Sequence, residues 1–123
     1  MTTKTVNRKY NRMNPRIKKL WVAALRSGDY LQGKHVLRLN ASTETRFCCL
    51  GVLCNLHAID HPEIAAYQLD PNKYMNHEYL VPDSVAKWAG LPGGAATKLT
   101  NMNDTGSCPC SFNQIADWIE KNI

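Results

Sequence analysis

The first 28 residues contain no aspartate or glutamate, and no apolar run in the 123-residue chain approaches the ~20 residues that a membrane-spanning helix needs. No apolar stretch of leader type follows the polar start Met1-Thr2-Thr3-Lys4, so a cytoplasmic protein without a membrane partner is expected. Phosphate-cradling glycine loops are missing: there is no GxGxxG and no P-loop. The GxSxG elbow of serine hydrolases is missing too, as are paired C-x₂-C knuckles, internal repeats and low-complexity tracts. These absences exclude the commonest nucleotide-binding, serine-hydrolase and zinc-ribbon classes.

What is present is unevenly placed. Residues 1–28 carry eight of the fifteen lysines and arginines, while residues 29–123 carry the other seven against all ten acids. The basic balance therefore belongs to one end. Such an arm suits nucleic acid, other phosphate-bearing partners or an acidic protein surface, and it serves equally as a solubilising tail. Hydrophobic residues make up 44%, enough for one packed core at this length. The five cysteines (48, 49, 54, 108 and 110) are an odd count without a leader, which argues for reduced, largely buried thiols.

Residues 1–13 have no apolar period and read as a flexible basic arm, with residues 14–123 as a single globular domain. Asn14-Pro15 opens a helix, Asn as the cap and Pro where no N–H is needed. Ile17, Leu20, Trp21, Ala24 and Leu25 form its apolar stripe, and Gly28 closes it. Tyr30–Gly33 reads as a loop; His35–Leu39 and Thr45–Phe47 read as the arms of a small hairpin. Cys48–Ile59 is apolar almost all round, which predicts a buried central helix with a close crossing at Gly51. Pro82–Ala89 and Ala95–Met102 read as further helices, and Asn103-Asp104-Thr105-Gly106 as a turn. Ser111 and Gln114 make a capping box for a last helix whose inner face is Ile115, Trp118 and Ile119. The expected fold is α+β: a mostly helical single domain around the central helix, with a small β-hairpin. Leu20, Trp21, Leu25, Leu50, Val52, Leu53, Leu56, Val85, Trp88, Ile115 and Ile119 are the expected core.

Four chemistries can be drawn from these residues. Cys48 and Cys49 lead the central helix, where exposed N–H groups and the helix dipole lower a thiol pKa; with His57 or another histidine as base they would make a thiol hydrolase acting on a phosphate- or amide-containing substrate. Cys54, His57, Cys108 and Cys110 offer a Cys₃His metal set. His57, Asp60 and His61 fall on one helical face, the pattern of a two-His-one-carboxylate site, although Pro62 ends the helix there. Finally, the Gln32-Gly33 and Asn103-Asp104 turns are expected to meet at the start of the central helix. Gln32, Arg46, Asn103 and Asp104 would then rim a pocket whose floor, the helix N–H groups, favours phosphate or carboxylate. This last is the preferred ligand site, with no catalytic residue and no cofactor assigned.

The motifs are shared with a known group. Ala24-Leu25-Arg26-Ser27-Gly28, Tyr30 and Gln32-Gly33 lead, followed by Cys48-Cys49-Leu50-Gly51-Val52-Leu53-Cys54. Trp88-Ala89-Gly90-Leu91, Asn103-Asp104 and Ile115-Ala116-Asp117-Trp118-Ile119-Glu120 complete the series. Over about residues 14–121 the chain resembles a family of small proteins of tailed bacteriophages and prophages. It departs from the pattern at Asn55, where an aspartate is expected, and at Cys108-Pro109-Cys110, which looks like a local insertion. The resemblance implies a phage-encoded accessory protein of the infected bacterial cytoplasm. Such a protein would block or sequester a host protein or a nucleotide-like signal, anti-defence action included.

Overall fold

The computed structural model describes residues 10–65, 70–105 and 110–123. Helix α1 (Pro15–Arg26) starts as its cap chemistry requires, the Asn14 side-chain oxygen accepting from the Ile17 N–H at 3.1 Å. Its buried residues are Ile17, Trp21, Val22 and Leu25, whereas Leu20 is 43% exposed. At ~100° per residue, the buried arc runs from Ile17 through Leu25 to Val22 and leaves Leu20 on the outer shoulder. That rotation follows from the neighbours: α1 packs chiefly against the last helix and then against the central one.

Three short strands follow: β1 (Leu31–Gln32), β2 (Arg38–Asn40) and β3 (Thr45–Phe47). β2 and β3 form the expected hairpin, in register Arg38 to Phe47, Leu39 to Arg46 and Asn40 to Thr45. β1 lies within the segment expected to be a loop and pairs in parallel with β3, making the sheet order β1-β3-β2.

Helix α2 (Cys49–Asp60) is the central helix, with Cys48 as its cap, and it touches α1, β3 and the next three helices. Gly51 is required by a crossing: a Cβ there would lie 1.7 Å from the Leu37 carbonyl oxygen. The wholly buried Leu37 thus enters β2 pressed on the helix backbone. After α3 (Pro62–Ala65) come α4 (Asp83–Ala89) and α5 (Ala95–Asp104). Gly90 ends α4 in the left-handed region at φ 66° and passes close to the Asn14 backbone. The last helix, α6 (Phe112–Asn122), carries both bonds of the Ser111–Gln114 capping box.

The molecule is therefore α+β and mostly helical, built round α2. Leu56 and Trp88 are only partly buried, while Ile17, Leu37, Leu99 and Ile123 complete the core. The boundary drawn after residue 13 falls inside packed structure. Met13 is 3% exposed, its N–H donates to the Ile123 carbonyl at 2.9 Å, and Tyr10 meets the Trp118 ring edge-on with centroids 5.4 Å apart. The basic end is partly neutralised by its own domain: Arg26 pairs with Asp117 and Glu120, and Arg16 with Asp60.

Candidate functional site

The last turn of α5, strand β1 and the approach to α6 converge on the start of α2, and one buried amide joins them. Asn103 is 0% exposed. Its Oδ1 accepts from Gln32 Nε2 at 3.0 Å and from the Cys49 N–H at 3.2 Å. Its Nδ2 donates to the Gly33 carbonyl at 2.9 Å and to Asp104 Oδ1 at 2.6 Å. Those four bonds use the whole capacity of an amide side chain. Gln32 carries the network onward, donating to the Cys110 carbonyl at 2.8 Å and accepting from the Phe112 N–H at 3.0 Å. Arg46 Nη1 donates to the Gln32 carbonyl at 3.0 Å, and its Nε pairs with Glu44.

Gln32, Arg46, Asn103 and Asp104 are thus brought together at the start of α2, by a route different from the expected one. Asn103 and Asp104 lie inside α5, which runs past Met102, and not in a turn. The α2 donors expected to face a ligand are engaged internally: Asn103 takes the Cys49 N–H, and the Cys48 sulfur accepts from the Gly51 N–H at 3.4 Å. Asn103 is a structural cross-link, Gln32 a clamp on α6, and Arg46 a partner of Glu44. Arg46 and Asp104, both partly exposed, stand at the two ends of the hydrogen-bonded chain.

The thiols do not match the activated nucleophile expected at a helix start. Burial pushes the Cys48 thiol up to about 11 and holds Cys49 and Cys54 well above the ordinary thiol range. Burial outweighs the helix N-terminus here because the sulfurs face the core, where a thiolate would lose its hydration. His57 cannot serve as the base for Cys48 or Cys49. It lies eight residues beyond Cys49, ~12 Å along the helix axis. Its Nδ1 instead meets the Tyr74 hydroxyl at 2.7 Å. His57 is 3% exposed, and burial, then its neighbour His61, lower its pKa.

The metal sets fare no better. Among the described residues no group of three His, Cys, Asp or Glu is placed to hold an ion. Cys110 stands beside Gln32 near the start of α2, whereas His57 lies toward the helix's other end; Cys108 lies outside the described residues. The His57–Asp60–His61 cluster is tied off by its neighbours. Asp60 accepts from Arg16 at 2.9 Å and from the Trp88 indole at 3.0 Å, and the two imidazoles lie ring against ring at 4.5 Å. His35 and His77 are exposed.

Sequence reading missed the joining of Tyr30 to position 55: the Asn55 amide donates to the Tyr30 hydroxyl at 2.6 Å. A polar residue among the apolar positions of the central helix was the available signal.

This geometry defines a small α+β domain whose polar residues lock three segments onto the start of a buried helix. The chain belongs to the family described as domain of unknown function DUF8296, whose model matches residues 13–123. The match opens at Met13, which the core buries. No curated protein and no solved structure matches the chain.

Proposed function

We propose that this protein is a phage-encoded accessory protein that works in the cytoplasm of the infected cell, binding a host protein or a nucleotide-like signal and blocking or sequestering it, without covalent chemistry of its own. One observation carries the preference for binding over thiol hydrolysis. Cys48 and Cys49 are buried and held protonated, and His57 is engaged at the far end of the same helix. The phage origin rests on the shared motifs. The recognition face is the outer side of the polar cluster, where Arg46 supplies a cation and Asp104 an acceptor on a frame fixed by Gln32 and Asn103. A frame already ordered before binding loses little entropy when a ligand arrives.

The test is to incubate the purified chain with a small-molecule extract and, separately, with soluble protein from the bacterial host. What is retained is then identified by mass spectrometry, alongside Arg46→Ala and Asp104→Ala. A charge-assisted contact is worth about 1.5–3 kcal/mol, so each variant should retain its ligand at least about tenfold more weakly while its circular dichroism is unchanged. Folded variants that retain the same species equally well would sink the assignment of this face. Substrate turnover lost in Cys48→Ser would sink the non-enzymatic reading.

A further inference from the structure

We infer that the cavity between the hairpin and the middle of α2 is a binding site for the oxyanion group of a small ligand, a phosphate or a carboxylate, held by Arg38. The cavity measures about 140 Å³ and is partly enclosed. Its α2 wall is Gly51, Cys54, Asn55 and Ala58, which share one helical face at i, i+3, i+4 and i+7. Its opposite wall is Leu37, Arg38 and Phe47 of the hairpin, with Tyr74 at the side.

Arg38 and Phe47 are direct cross-strand partners, so their side chains share one face of the sheet, the face turned to this cavity. The adjacent Arg46 alternates to the other face, where it meets Glu44 and Gln32. The two arginines are therefore separated by strand alternation. Arg46 is matched by an acid; among the described residues Arg38 is not.

The anomaly is the Arg38 guanidinium. Its Nε is buried and has no hydrogen-bond partner among the described residues. Its nearest aromatic contact is the Phe47 ring, 5.8 Å from the guanidinium carbon to the ring centroid. A buried guanidinium N–H without an acceptor is costly, and native proteins supply one from protein, water or ligand. No carboxylate is among the residues lining the cavity. The remaining polar groups suit an anion. The Asn55 amide, whose nitrogen bonds Tyr30, keeps a second N–H; the Tyr74 phenol, pushed up to about 12 by burial and bonded to His57 Nδ1, and the Cys54 thiol both stay neutral, so neither repels an anion. Planar, forked guanidinium geometry matches carboxylate and phosphate oxygens. The size sets the rest. A cavity near ~150 Å³ accepts a molecule the size of benzene, so one phosphate or carboxylate group fits, and the body of a larger ligand would leave through the open side.

This site stands apart from the Arg46–Asp104 face, and its test does not depend on that face. The Arg38 Nε–H resonance of the full chain is followed by nuclear magnetic resonance during titration with inorganic phosphate, and separately with acetate. Sodium chloride at matched ionic strength is the control. Saturable movement of Arg38 Nε–H and of the Asn55 side-chain amide is expected with at least one of the two anions. Whichever binds more tightly names the ligand's group. Arg38→Gln should weaken that binding by about tenfold or more, and replacing the exposed α5 cation, Lys98→Ala, should leave it unchanged. The proposal is overturned if neither anion moves these resonances beyond the chloride control, or if a folded Arg38→Gln protein binds as the parent does. Should Arg38→Gln fail to fold, the saturable shifts in the parent chain decide the matter alone.

Discussion

Asn103 satisfies four partners from a position with no access to water, so its loss is not shared with solvent. Asn103→Leu keeps the branched shape but strands the Cys49 N–H and the Gly33 carbonyl. A cost of about 3 kcal/mol or more in urea unfolding is expected, since each buried orphan costs about 1–3 kcal/mol. The thiols give a second expectation at this scale. Cys48, Cys49 and Cys54 should resist iodoacetamide at neutral pH and label only when the chain is unfolded, while the half-exposed Cys110 labels first, as read by peptide mass mapping. His57 gives a third. Its folded pKa lies below its ordinary 6.5, so the unfolded chain takes up the proton first. The stability linked to this residue is present above pH 6.5 and is lost as pH falls through the folded pKa. Urea midpoints measured from pH 7.5 downward should therefore drop more steeply for the parent chain than for His57→Gln. The burial of the thiols was legible in the sequence, and the role of Asn103 was not. Asn103 in sequence is an ordinary turn former, and only the arrival of Gln32 and Gly33 from seventy residues away makes it a cross-link.

Helix starts were legible because cap chemistry is local. Asn14-Pro15 and Ser111 with Gln114 complete their bonds within three residues, and both helices begin where those residues stand. Gly51 was legible as a crossing because nothing else justifies a glycine inside an apolar helix. Gly51→Ala brings a methyl group into the Leu37 carbonyl, so about 3 kcal/mol or more should be lost despite alanine's better helix propensity, measured by thermal or urea unfolding. What stayed hidden was decided by neighbours. β1 is two residues long, too short for any period, and exists because β3 offers an edge to it. Leu20 fits the α1 stripe as well as Val22 does, until the position of α6 selects Val22. The C-terminal end of α5 was hidden because Asn103 and Asp104 favour turns, and the bonds that hold them in helical form come from β1 and α2.

At the scale of the whole molecule, the strongest union joins the first long helix to the last, and Met13 seals it through Ile123. Met13→Ala should cost about 2–5 kcal/mol, the range for emptying a buried methionine site, although the sequence assigned this residue to an arm. No local pattern around Met13 announces burial; its neighbours are polar and basic.

The union of α1 with α6 also has a consequence for synthesis. As the chain leaves the ribosome, α1 emerges early with Ile17, Trp21, Val22 and Leu25 on one side and nothing yet made to cover most of them. Closure must wait for residues 112–122, so the core cannot be completed step by step during translation. A nascent chain halted before α6 displays that apolar face to whatever is near. For this protein, folding is an event that follows translation of α6, and a stop codon ahead of Phe112 would produce a chaperone client in place of a shortened protein.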